Sequence, residues 1–282
     1  MIPRDYVTAW RANAPWIEDA QVEQDLVISR ALVEMFSNPV LARSLAFRGG
    51  TALYKLYLTP SARYSEDIDL VQVKAAPAGP VMDAIQSTLN PWLGRPSWKQ
   101  TQGRVTFRYS FESSGTPPVK LRLKIEINTR EHLSLLGYKT CPFSVRSRWF
   151  ERAADILTFD LDELLATKLR ALCQRRKGRD LFDLATALRD ERSNPERIVR
   201  TFRSYLEREG HPVTRAMFER NLDGKLRDSN FTSDMSGLLA TGRKWHAIPA
   251  AGVVTETLLS LLPGDEWRGP KLGAEHSAEN SN

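Results

Sequence analysis

Cysteine is scarce in this chain of 282 residues: Cys141 and Cys173 are the only two. Two cysteines without Cys-x-x-Cys spacing or nearby histidines exclude a disulfide framework and a zinc knuckle, so structural thiols are expected. No run of about 18 apolar residues occurs, which excludes an apolar membrane-spanning helix. The start, Met1-Ile2-Pro3-Arg4-Asp5-Tyr6, has no basic segment followed by an apolar stretch and a small-residue cleavage site. No secretory signal is therefore expected, and the cytoplasm is the default location. The chain shows no internal repeat.

What is present suits a water-soluble protein with a sizeable core: 41% hydrophobic and 26% charged residues, enough for one large domain or two modest ones. The net charge of +6 is compatible with a polyanionic partner. Basic residues thicken after the midpoint, at Arg146, Arg148 and Arg152, then Lys168, Arg170, Arg175, Arg176, Lys177 and Arg179, then Arg197, Arg200, Arg203 and Arg208. That distribution predicts a positive face on the second half.

Apolar residues at helical spacing predict a helix over 19–36, stopped by Asn38-Pro39 and followed by a short helical stretch to Leu45. After the small-residue turn Phe47-Arg48-Gly49-Gly50-Thr51, a helix over 51–58 is expected, its N-terminus suited to phosphate. Asp67-Ile68-Asp69-Leu70 alternates with period two, which places both carboxylates and Ser65 on one strand face and the apolar pair on the other. A calcium loop is a poor fit, because the central glycine, the closing glutamate and the remaining oxygen ligands are not at the required offsets. Residues 81–93 are expected as a helix and 104–111 as a strand. Over 119–128, Val119, Leu121, Leu123, Ile125 and Ile127 face one way, and Lys120, Arg122, Lys124, Glu126 and Asn128 the other, so Glu126 is available as a third carboxylate.

From Leu161 the helical period dominates, with breaks expected at Gly178, Asn194-Pro195, Gly210-His211-Pro212 and Asp223-Gly224. At ~100° per residue from Leu161, Leu172 falls near +20° and Lys168 near −20°, inside the apolar stripe, with Arg175 following on it. Cations so placed either snorkel to water or meet an anion, and a nucleotide triphosphate would serve as that anion. Asp180 suits a helix N-terminus; Asp183, one turn on, is expected to orient Lys168 or a substrate group.

A small-residue turn supplying backbone N–H groups, followed by paired carboxylates able to hold divalent cations, points to nucleotide chemistry. From the helix ahead of Phe47 through Arg63-Tyr64-Ser65-Glu66-Asp67-Ile68-Asp69-Leu70 to Asp162-Glu163-Leu164-Leu165-Ala166-Thr167-Lys168-Leu169-Arg170-Ala171-Leu172 and Arg179-Asp180-Leu181-Phe182-Asp183-Leu184, roughly residues 20 to 190, the chain resembles the AbiEii/AbiGii nucleotidyltransferases. These are the toxin half of type IV toxin–antitoxin systems and include the MenT toxins. The resemblance implies an α+β fold: a polymerase-β-like core of mixed sheet and helices over 1–157, then a helical domain over 158–268 that contributes to the active site. The polar stretch 269–282 is expected to be a disordered tail.

The same resemblance implies nucleotide binding by Arg48, Gly49, Gly50, Thr51, Ser65 and Lys168. It implies Mg²⁺, or Mn²⁺ in its place, on Asp67 and Asp69 with Glu126 as third ligand or general base, and roles in catalysis for Lys168 and Asp183. Two departures from the wider nucleotidyltransferase pattern stand out: fifteen residues, Ala52 to Glu66, separate Thr51 from Asp67, and Glu126 stands where Asp is usual. An ion pair with a neighbouring strand's Lys or Arg is the structural alternative for Glu126. The activity implied is transfer of nucleotides from an NTP to the 3′ acceptor end of tRNA by two-metal in-line transfer, with a cognate antitoxin as a further partner and no membrane. The rivals are nucleotidylation of a protein or small metabolite, and a catalytically silent nucleotide-binding module.

Overall fold

A computed structural model of the chain describes residues 2–269, so the expected tail lies, beyond Gly269, outside the described residues. Among the described residues, the first of two compact units runs to Asp160 and includes Leu238–Arg243; the second comprises Leu161–Gly237 and the described residues from Lys244 on.

In the first unit the elements run α1 (Arg4–Trp10), α2 (Asp19–Ser37), α3 (Pro39–Ser44), β1 (Leu45–Arg48) and α4 (Gly49–Ala52). A π-helical turn, Leu53–Tyr57, extends α4, and β2 (Asp67–Gln72), α5 (Gly79–Leu93), β3 (Ser97–Thr101), β4 (Arg104–Glu112), β5 (Lys120–Asn128), β6 (Tyr138–Arg146) and β7 (Glu151–Phe159) follow. The helix over 19–36 is α2, which buries Val22, Leu26 and Leu32. The Asn38 side chain ends it and starts α3, accepting from the N–H groups of Val40 and Leu41 with Pro39 in the first turn.

The seven strands form one mixed sheet in the order β3-β4-β5-β2-β1-β7-β6. Strand β2 lies antiparallel to β1 and parallel to β5. One face of the sheet carries Phe47, Ile68, Leu70, Phe107, Leu123 and Ile125, all buried in a single core with α2 and α5. At about 25 cal/mol per Å² of apolar surface, each such side chain contributes roughly 1.5–3 kcal/mol. The opposite face carries the charged residues of β2 and β5, with Ala46 and Val71 buried on it as well. The segment Leu238–Arg243 returns to this unit through hydrogen bonds from Tyr64 N–H to the Leu238 carbonyl at 2.7 Å and from Ala240 N–H to the Ala62 carbonyl at 3.1 Å.

Four strands lack the signals that would have marked them. Strand β3 is exposed along its whole length, and β6 buries little besides Val145 and contains Pro142, which an edge strand tolerates. Charged residues interrupt β7, and β1 is four residues long.

The second unit is helical: α6 (Leu161–Gln174), α7 (Gly178–Ala187), α8 (Pro195–Glu209), α9 (Arg215–Leu226), α10 (Ser229–Thr232) and α11 (Ala247–Thr257). Helix α8 starts at the Asn194 cap and ends at Gly210 in the left-handed region, as its flanking residues predict. The break expected at Asp223-Gly224 does not occur. Helix α9 runs through it, and Asp223 pairs with Arg227 one turn on at 2.9 Å. No described helix is long and apolar enough to cross a membrane.

Candidate active site

Antiparallel pairing sets Arg48 beside Asp69, and parallel pairing sets Asp67 beside Lys124 and Asp69 beside Glu126. Cross-strand neighbours share a face, so Arg48, Asp67, Asp69, Lys124 and Glu126 all project from the polar side of the sheet. Burial raises the Asp69 carboxyl above the usual carboxylate range; Asp67 and Glu126 add to this, while Arg48 and Lys124 oppose it. The Lys124 ammonium lies 2.9 Å from Asp67 and 3.3 Å from Glu126. Burial works against its charge, but those carboxylates outweigh it and hold Lys124 above the ordinary lysine range. Glu126 also meets Arg104 of the neighbouring strand at 3.3 Å, the pairing held open for it above.

The chain leaves β1 through Gly49 at φ +83°, a conformation natural to glycine. A Cβ there would overlap Asp69 Oδ2 and lie 3.1 Å from Asp69 Cβ. A Cβ on Gly50 would come within 2.5 Å of Arg63 Nη2 and 3.3 Å of Ser65 Oγ. The two glycines thus let the turn press against Asp69 on one side and Arg63 on the other. Arg63 is buried, stacks 5.2 Å over Tyr54 and donates to the Tyr64 carbonyl at 2.9 Å. Thr51 is turned inward, with its hydroxyl 2.8 Å from Ser65 Oγ and 2.5 Å from the Asp67 carbonyl. Its hydroxyl therefore locks the turn to β2. Arg48 Nη1 meets Glu131 at 3.3 Å.

Within the second unit, Lys168 is buried on the apolar stripe of α6, and its anionic partners are protein carboxylates: Asp183 at 2.8 Å and Asp180 at 3.2 Å. Arg175 grips Asp180 through Nε at 2.7 Å and Nη2 at 2.9 Å. Helix α7 thus presents two aspartates to Lys168 of α6 and to Arg175 just beyond its end. Burial pushes the Asp180 carboxyl up, but Lys168 and Arg175 more than offset this and leave it below the ordinary range. A carboxylate lowered on folding stabilises the protein above its unfolded pKa of about 3.9, and that contribution is lost as pH falls through the folded value. Asp180→Asn is therefore expected to cost about 2–4 kcal/mol near neutral pH and clearly less near pH 3, where the unfolded carboxyl is already largely protonated. Urea unfolding followed by circular dichroism at both pH values measures the difference.

A family profile described as nucleotidyl transferase AbiEii toxin, type IV TA system, matches residues 30–251. The chain belongs to the AbiEii family.

Solved structures of similar fold include MenT4, a nucleotidyltransferase toxin from Mycobacterium tuberculosis, at 17% identity and TM-score 0.67, covering 99% of this chain and 97% of that one. JHP933 from Helicobacter pylori aligns at 18% identity and TM-score 0.56, over 87% of this chain and 93% of its own. No curated protein matches the chain by sequence. Like the fold class, membership of this nucleotidyltransferase family agrees with the resemblance drawn from sequence.

In this AbiEii-family chain the sheet brings Arg48, Asp69, Asp67 and Glu126 to one face, and α6 and α7 bring Lys168 and Asp183 into an ion pair. Two residues that sequence reasoning gave no role join the site. Lys124 lies between Asp67 and Glu126, and Arg63 backs the glycine turn. Strand alternation places Lys124 on the Glu126 face, but the register that brings Asp67 to it has no sequence signal. For Arg63 the only available clue is its position within the family-like segment.

The site's donors suit a divalent cation in type: hard carboxylate oxygens, two of them on one strand, with an ammonium already drawn between Asp67 and Glu126. Among the described residues no three acidic, histidine or cysteine side chains converge in a ready cage.

Proposed function

We propose that this AbiEii-family toxin transfers a nucleotide from an NTP to the 3′ acceptor end of tRNA and so blocks translation. The observation that carries the reading is the Asp67–Asp69 pair on β2, projecting beside Arg48 and against the Gly49 turn. Asp67 and Asp69 would hold Mg²⁺ or Mn²⁺, with Glu126 completing the acidic set. When bound, the metal ions supply Lewis acidity that favours the attacking hydroxylate and the leaving pyrophosphate. The N–H groups of the Gly49-Gly50-Thr51 turn would receive the phosphates, and Arg48 would neutralise their charge. Thr51 and Ser65 fix the turn against β2 through their mutual contact. In the second unit Lys168 is the proposed phosphate ligand, and Asp183 is the positioning residue that holds its ammonium.

The test is incubation with each of four labelled NTPs, Mg²⁺ and total cellular RNA, comparing wild type with Lys168→Ala. Label in tRNA, removed by a 3′ exonuclease and lost in the variant, is the expected result. Label in protein or a small metabolite, or none with any NTP, would refute the reading.

Lys124 bears on the same site from the protein's side. Its ammonium competes with any cation for Asp67 and Glu126, so Lys124→Met should tighten Mn²⁺ binding by about tenfold, roughly one charge interaction at a part-buried site. Calorimetric titration of the nucleotide-free protein measures it; unchanged or weaker binding would contradict the competition.

A further inference from the structure

The carboxylate-bearing face of the sheet does not end at β5. Register carries it outward from Asp69 to Glu126 of β5, then to Thr106 of β4 and to Lys99 of β3 at the sheet edge. On the same face, Lys124 pairs with Arg108 and Arg122 with Ser110, while Lys120 lies opposite Glu112. At ~4.8 Å between strands, this face reaches roughly 14 Å from the carboxylate strand to the edge. Lys99, Arg104, Arg108, Lys120 and Arg122 are all exposed on it. Arg104 is committed to Glu126, but Lys99, Arg108, Lys120 and Arg122 form no ion pair among the described residues.

The helical unit, where the sequence concentrates its basic residues, differs. Arg170 pairs with Glu209, Arg175 with Asp180, Arg176 with Asp228, Arg179 with Asp234, Arg197 with Asp162 and Arg203 with Glu207. Much of that positive charge is neutralised locally. The helical unit also leaves Arg189, Arg200, Arg208 and Arg220 without an ion pair among the described residues, but on the sheet four uncommitted cations share one register-defined face with Asp67 and Asp69.

We propose that this face, through Lys99, Arg108, Lys120 and Arg122, is the track along which the backbone of the RNA acceptor lies, directing its 3′ end toward Asp67 and Asp69. The proposal rests on the reading that the acceptor is RNA. Cations spread over four side chains on three strands exceed the reach of one phosphate and fit successive phosphates of a strand. The aromatic residues of β4, Phe107, Tyr109 and Phe111, all lie on the core side, so β4 offers this face no stacking platform. Recognition is therefore of backbone and shape, with little discrimination among bases.

Binding of bulk tRNA and of a fluorescent single-stranded 12-mer RNA, measured by anisotropy at several salt concentrations, tests the track. The comparison is between wild type, the quadruple variant K99Q/R108Q/K120Q/R122Q and a helical-unit control, R200Q/R208Q. At ~0.7 counterions per phosphate contact, the quadruple variant should lose about 2–3 from the log–log salt slope and at least about tenfold in affinity, with the control changing less. Its Mg²⁺–NTP binding should remain. Should it fail to fold, ultraviolet cross-linking of the 12-mer to wild type supplies the measurement, with cross-links expected in peptides spanning 97–124.

An unchanged slope in a folded quadruple variant, or cross-links confined to the helical unit, overturns the track. So does loss of binding to an acidic protein partner alone. If wild type labels RNA while the variant keeps its slope, only the track fails; if wild type neither binds nor labels RNA, the acceptor reading fails with it.

Discussion

Asp69→Asn is expected to reduce nucleotide transfer by about a thousandfold or more while raising the melting temperature of the metal-free protein. The loss follows from removing one of two strand-borne carboxylates proposed to hold the metal, whose charge stabilisation is worth several kcal/mol, or about three decades in rate. The gain has a separate origin. Burial, then Asp67, then Glu126 raise the Asp69 carboxyl, and Arg48 and Lys124 only partly oppose them. A group whose folded pKa is raised costs stability as pH climbs through that value, because folding penalises its ionised form. At neutral pH the wild type carries that cost and the amide does not. A gain of about 1 kcal/mol would appear as roughly 2–4 °C in a chain of this size. The gap should widen from pH 4 toward pH 8, and adding Mg²⁺ should close it by stabilising the wild type alone. Thermal melts with and without Mg²⁺, alongside initial transfer rates, test both halves. A variant that melts lower than wild type at pH 8 without metal would refute the electrostatic account, and one that retains transfer would refute the assignment.

Alternation is what makes the centre of this site legible. Asp67-Ile68-Asp69-Leu70 and residues 120–128 each have one apolar face buried against α2 and α5, so period two shows which side chains share the other face. Pairing is another matter. Nothing in either strand announces that β2 runs parallel to β5, and that pairing alone places Lys124 against Asp67 and Glu126 beside Asp69. Strands β3 and β6 stayed hidden because little of them is buried, and β1 because four residues show no period. Lys168 was legible as a cation inside an apolar stripe. Its carboxylate partners emerge only once α7 packs on α6, so the sequence alone shows a nucleotide as its anion and not the aspartates that hold the ammonium in place. The basic second half shows a related limit: composition counts charges but not their partners, and local pairing offsets part of them.

Gly49→Ala should disable the site from the backbone side, lowering transfer by at least about a hundredfold, the scale of a 1 Å misplacement, although alanine adds one methyl group and no charge. At φ +83° an alanine is strained by about 1–2 kcal/mol before any contact is considered. The added Cβ would also overlap Asp69 Oδ2 and crowd Asp69 Cβ at 3.1 Å. The oxygen could swing away by rotating the carboxylate, which would take it out of register with Asp67. The Cβ has no such freedom, because Asp69 is fixed opposite Arg48 by the β1–β2 ladder. Relief therefore requires moving either the proposed metal ligand or the proposed phosphate-binding turn. Gly252→Ala is the matched control: it lies within α11, no atom comes within 4 Å of its added Cβ, and it should stabilise by about 0.4–1 kcal/mol with transfer unchanged. The combination separates a general glycine effect from this one. If Gly49→Ala retained wild-type transfer and Mn²⁺ affinity, the close approach of turn and carboxylate would be incidental, and the role proposed for Asp69 would lose its main steric support.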